Sequence, residues 1–140
     1  MNLLKDGKNI IASNLCGIHI PINGMYVTYG RTPAKRAPDA DGNYFTELTH
    51  QEGCGYARIA ITSSQLLDDG KIMYSGMLTT EELVGQPVDN DTILTTATLI
   101  HMDEHDRNKD MFVYSAILKN QIKVIPGTYI VVNVGISVGD

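Results

Sequence analysis

The sequence predicts an all-β single domain, an antiparallel β-sandwich or jelly-roll-like fold preceded by a short N-terminal arm or helix. Three observations predict it. Apolar residues recur at period two, most clearly in Gly53–Thr62 (GCGYARIAIT) and Tyr129–Val138 (YIVVNVGISV), the alternation that a strand with one face in a core requires. Turn signals separate such stretches at roughly ten-residue spacing, which makes some seven to eight short strands. No helical pattern of about 10–15 residues stands between them to form the crossovers of a parallel sheet.

The totals agree. A chain of 140 residues is one domain on size, and a globule of that length buries roughly 70% of its unfolded surface. Thirteen glycines and no tryptophan favour turns over long helices. A formal charge of −5 argues against a nucleic-acid surface, because neutralising phosphates takes clustered Lys and Arg. The one basic knot is Arg31, Lys35 and Arg36 in a Pro-containing loop. No stretch approaches the ~20 apolar residues needed to cross a bilayer, and the start has no apolar run of signal-peptide length. A protein made and kept in the cytosol is expected, with Cys16 and Cys54 as reduced thiols and a disulfide between them the alternative.

Taken in order, residues 1–24 form the arm or short helix and residues 25–140 the β domain. Ile10, Ile11, Asn14 and Leu15 share a helical face between Gly7 and Gly17, and as an arm this segment would lie on a neighbouring subunit. Met25–Tyr29 is β-branched and aromatic between Asn23-Gly24 and Gly30, hence a strand. Arg31–Gly42, with two prolines, reads as a surface loop, and Tyr44–Leu48 as a brief edge strand. The strand Gly53–Thr62 organises the domain, with Ala57, Ile59 and Ile61 on one face and Tyr56, Arg58, Ala60 and Thr62 on the other.

Asp68-Asp69-Gly70 is a hairpin turn signal leading into Lys71–Leu78, which is partly apolar on both faces and suits a strand between two layers. Thr79-x-x-Glu82 matches a capping box. Thr92–Met102 is the longest β stretch before the polar connection His101–Asp110. Met111–Leu118 follows, then a turn at Lys119-Asn120, the segment Gln121–Ile125, and a type II turn at Pro126-Gly127. In the last strand Ile130, Val132, Val134, Ile136 and Val138 share a face, which places it centrally in the core.

Polar candidates are few. His101 and His105, with Asp103 between them, would hold a metal if carried on a helix, which is the basis for a metal-dependent hydrolase; as a connection between strands they are soluble turn material. Asp39-Ala-Asp41-Gly42 opens like a calcium loop but lacks the later ligands. Ser63-Ser64 and His50 lack a strained elbow and a third partner. Arg58, in mid-strand, pairs either with a carboxylate of its own chain or across a subunit contact. Tyr26, Tyr29, Tyr44 and Tyr74 are cross-strand partners at the core edge, or else line a sugar-stacking surface of a lectin-like receptor-binding module.

The stretch Gly55–Thr62 (GYARIAIT) resembles the GYARVAI-type strand of small tailed-bacteriophage virion structural proteins of the tail-fibre-like and head-decoration kind. The order of strands around it, through Met111–Leu118 (MFVYSAIL) and Gln121–Val138, is similar to theirs, over about two-thirds of the chain. The chain departs from that pattern in a shorter, more polar N-terminal segment and in the insertion Arg31–His50. The resemblance implies a non-enzymatic β-sandwich without a cofactor, made in the host cytoplasm and located in the virion. Its partners would be other virion proteins, either the major capsid protein or neck and tail proteins, together with further copies of itself. On that expectation the contact residues come from the arm and the polar loops, with Arg31, Lys35, Arg36, Tyr44, Arg58, His101 and His105 as candidates.

Overall fold

A computed structural model describes residues 3–38 and 42–137. Helix α1 (Lys5–Leu15) precedes β1 (Gly24–Gly30), and a second short helix, α2 (Gly42–Leu48), lies before β2 (Gly55–Leu66). Then come β3 (Lys71–Leu78), the two-residue β4 (Val84–Gly85), β5 (Ile93–His101), β6 (Met111–Lys123) and β7 (Ile130–Ser137). Pairing is antiparallel throughout in the order β6-β5-β1-β2-β3-β7, with β4 beside β2. The domain is all-β, and its single sheet closes nearly into a barrel.

The organising strand does more than alternate. β2 pairs with β1 through Gly55–Ala60 and with β3 through Ile61–Leu66, and its register shifts between Ile61 and Ser63. There Thr62 is the extra residue, and its hydroxyl donates to the Ser75 carbonyl at 3.1 Å. A bulge bends a strand and increases its twist. At this bend the sheet folds over, so that Val27, Ala57 and Leu99 of one half face Tyr74, Leu78, Val132, Val134 and Ile136 of the other across one core. The two layers expected of a sandwich are thus two halves of one sheet.

β7 buries Ile130, Val132, Val134 and Ile136 as its alternation predicts; Val138 lies outside the described residues. β5 is buried on both faces along Ile93–Ile100 because it sits between β1 and β6. Its threonines are satisfied internally: Thr28 shares its hydroxyl with Thr95 and Thr96, and Thr98 bonds Ser115 at 2.9 Å. The hairpin at Asp68–Gly70 forms, with Gly70 in the left-handed region at φ 72°. The Thr79/Glu82 box also forms, around a single 3-10 turn.

Of the two alternatives for the N-terminal segment, the short helix forms and the free arm does not, and three further expectations are corrected. α1 lies on β6 of its own chain, with Ile10 fully buried in the core, the Leu4 amide on the Val113 carbonyl at 2.8 Å, and Asn14 tying the helix end to Ile20. Tyr44–Leu48 is helical rather than an edge strand, because one turn of α2 lets Phe45 and Leu48 cover Tyr26 and Tyr56 together. Lys119-Asn120 does not end a strand. β6 continues through it as a wide bulge, Ile117 facing Thr96 and Ile122 facing Leu94. Finally, β3 is covered on one side only: Tyr74 and Leu78 are buried, whereas Met77 is 43% exposed.

Candidate functional site

The polar residues converge at one place, where the β5–β6 connection folds back on the outer face of β1 and β2. Arg58, facing Tyr26 in the β1–β2 register, reaches Asp110 with two parallel bonds, Nε to Oδ2 at 2.7 Å and Nη2 to Oδ1 at 2.8 Å. Arg58 Nη2 also donates to the Asp103 carbonyl, the Asp103 amide donates to Asp110 Oδ1, and the Tyr26 hydroxyl donates to Asp110 Oδ2. Burial alone would raise the Asp110 pKa. The bonds from Arg58, the Asp103 amide and Tyr26 outweigh it and hold the carboxyl below the usual range. Tyr26 moves the other way: burial, then its bond to the Asp110 carboxylate, raises its pKa far above the ordinary phenol value.

This constellation fastens a loop. Every strong acceptor position of Asp110 is occupied by a donor of its own chain, and the carboxylate is fully enclosed. The loop carries its own supports. Asp103 accepts from the His105 and Asp106 amides, Asp106 caps the Arg107–Lys109 turn through the Asn108 amide, and Arg107 donates to the Tyr56 hydroxyl at 2.7 Å.

Beneath it lies an aromatic cluster. Tyr26 stacks on Phe45 with centroids 4.5 Å apart and on Phe112 at 5.7 Å, while Tyr56 meets Tyr26 edge-on. Tyr44 packs edge-on against Phe45 and is half-buried. Tyr26, Tyr29 and Tyr74 are buried, the arrangement of cross-strand and core-edge residues rather than of a sugar-stacking surface.

The other sequence candidates scatter. Arg31 turns back to Asp89 at 2.6 Å and Glu52 at 3.6 Å, while Lys35 and Arg36 lie exposed in the loop beyond it. His101 Nδ1 is 2.7 Å from the Pro21 carbonyl, and His105 is exposed. Among the described residues no group of three His, Cys, Asp or Glu side chains could hold a metal. Asp39 and Asp41 lie outside the described residues. Ser63, Ser64 and His50 are exposed. Both cysteines are free thiols, and burial pushes the Cys54 pKa up against the opposing charge of Arg31, the reverse of an activated nucleophile. Of the contact candidates, Arg58 is therefore committed within its own chain; Lys35, Arg36 and His105 remain at the surface.

Sequence reasoning missed Asp110 as the partner of Arg58. Its only signal was position, a lone carboxylate directly before the strand Met111–Leu118. It also missed an apolar row on the outside of the second layer. Met77 and Val131 face each other in register at 43% and 53% exposure, and Tyr129, two residues before Val131, is 74% exposed. Beside this row the sheet stays open. β6 and β7 end the strand order, and a cleft of about 330 Å³ separates Ala116–Ile122 from Val131–Gly135. Comparison with protein-family models, with curated proteins and with solved structures finds no match to the chain.

Proposed function

We propose that this chain is a non-enzymatic structural subunit of a bacteriophage particle, a capsid-decoration or tail-associated protein that is incorporated in many copies and binds other virion proteins. The observation that carries the reading is the outward character of the second layer. An exposed apolar row, Met77 and Val131 with Tyr129 two residues before it, runs beside β7, whose second edge pairs with no strand among the described residues. Exposed apolar surface next to open strand edges is the material of protein–protein contacts. The polar cluster around Asp110, by contrast, faces its own chain. The strand Gly55–Thr62 and its resemblance to virion proteins supply the particle as the place of assembly.

The partners are the major capsid protein or neck and tail proteins, and the subunit is made in the host cytoplasm before it joins the virion. Quantitative mass spectrometry of gradient-purified particles tests this. The expected result is this chain at a fixed ratio to the major capsid protein across preparations. A chain abundant in the infected-cell lysate yet missing from the particles would overturn the proposal.

A further inference from the structure

The two ends of the sheet are finished differently. On β6 the outer edge is managed along its length. Leu3 bridges antiparallel to Tyr114, the Leu4 amide bonds the Val113 carbonyl, and Asp6 accepts from the Phe112 amide. Further along come the bulge after Ile117 and the exposed Lys119 and Lys123. Bulges, lysines and covering segments are how edge strands avoid unwanted pairing. Among the described residues β7 has none of them. It pairs with β3 without a register shift from Ile130 to Ser137, and no residue in that span is charged or proline. Its other side looks into the 330 Å³ cleft, across which lies β6 from Ala116 to Ile122, and no residue of α1 lines it.

We propose that this cleft is a strand acceptor. An extended segment of a partner protein, apolar and β-branched at alternate positions and bearing an acidic residue near Lys119, adds to the open edge of β7 and fills the gap to β6. Three features select this occupant. Both walls are strands at the ends of the sheet, so what they offer is main-chain donors and acceptors, which an extended backbone matches. Lys119 is the sole charged residue in the lining among the described residues, which favours an acid on the incoming strand. The Leu3–Tyr114 bridge marks the same β6 edge as one that takes an extended segment, and the cleft begins two residues further along, at Ala116.

Geometry narrows the mode. Five successive antiparallel pairings separate β6 from β7, so the two walls run opposite ways and an inserted strand is antiparallel to only one. The unbulged β7 is the better template, because antiparallel ladders are the more stable. Val131–Gly135 spans roughly 13 Å at strand rise, enough for a core of about five residues. A second folded copy fits less well, since the β7 edge faces β6 inside the cleft instead of projecting from a rim. Which protein supplies the strand rests on the assembly role proposed above; the acceptor itself does not.

The test uses the purified full chain and a fluorescein-labelled heptapeptide alternating threonine and valine with one aspartate, beside a twin carrying lysine instead. Saturable binding of the aspartate peptide is expected, at least about tenfold tighter than its twin, with the open-edge amides of Val131–Gly135 gaining about tenfold protection from hydrogen exchange. K119E should weaken binding about fivefold or more. G135K, where an added side chain meets only ordinary contact with Met73, should abolish it while the fold stays intact by circular dichroism. No saturable binding, or equal binding by both variants, overturns the acceptor. So does a concentration-dependent dimer that protects the same amides, because a second copy is then the occupant. Loss of the acceptor with the chain still present in particles would leave the structural role standing, and the reverse result would separate the two the other way.

Discussion

Asp110 and Arg58 meet side-on, two nitrogens against two oxygens at 2.7 and 2.8 Å, with the carboxylate fully enclosed and the guanidinium 28% exposed. That asymmetry orders the cost of breaking the pair. R58A strands a buried carboxylate and is expected to destabilise the fold by about 3–5 kcal/mol in urea unfolding. D110A leaves Arg58 able to turn to water and should cost less, about 2–3 kcal/mol, part of it from the Tyr26 hydroxyl that loses its acceptor. A double-mutant cycle should return a coupling energy above about 1 kcal/mol. Additive single effects would show that the loop is held by its backbone bonds alone.

The same carboxylate sets an acid limit. Its folded pKa is depressed, because the bonds from Arg58, the Asp103 amide and Tyr26 outweigh burial. The stabilisation is therefore present above the unfolded value, about 3.9, and is lost as pH falls through the folded value. Urea midpoints measured between pH 6 and pH 2 should drop steeply at the acid end, and D110N should flatten that limb selectively. An unchanged profile in D110N would assign the acid limit to other carboxylates.

At the alkaline end three phenols resist ionisation. Burial raises Tyr26, Tyr29 and Tyr74, with the Asp110 bond adding at Tyr26 and the Cys54 charge at Tyr29. Groups with raised folded values contribute stability that is complete below the unfolded pKa, about 10, and fades as pH climbs through the folded one. Tyr26, Tyr29 and Tyr74 should therefore ionise late in an ultraviolet titration of the native protein and at the ordinary phenol value after unfolding. Ordinary ionisation of these three in the native protein would contradict their burial.

The legible parts of the chain are those where a pattern repeats. Strands such as β2, β5 and β7 declare themselves because eight or more successive residues with β-branched or alternating apolar character fit little besides a strand. α2 does not, because seven residues, two of them aromatic and one β-branched, are too few to show a helical period, and its helicity comes from Phe45 and Leu48 packing on Tyr26 and Tyr56. Lys119-Asn120 carries true turn chemistry, yet the chain uses it as a bulge because Ile122 regains its place opposite Leu94. The Arg58–Asp110 pair joins residues 52 apart, a distance at which local pattern holds no signal. The cleft was invisible for the same reason: it exists only because β6 and β7 fall at opposite ends of the strand order.

Helix α1 supplies a prediction whose sign runs against intrinsic propensity. Replacing a helical glycine by alanine ordinarily stabilises by about 1 kcal/mol. At Gly7, however, an added Cβ would overlap the carbonyl of Val113, a backbone group that also accepts from the Leu4 amide and cannot easily retreat. G7A should therefore lift α1 from β6, lower the thermal midpoint, and speed hydrogen exchange in residues 7–15 more than in β1 or β5. I10A removes a fully buried side chain from the core and should cost about 2–5 kcal/mol without the overlap. If G7A instead raised the midpoint, α1 would be a free arm after all, and the uncovered length of the β6 edge would have to be redrawn.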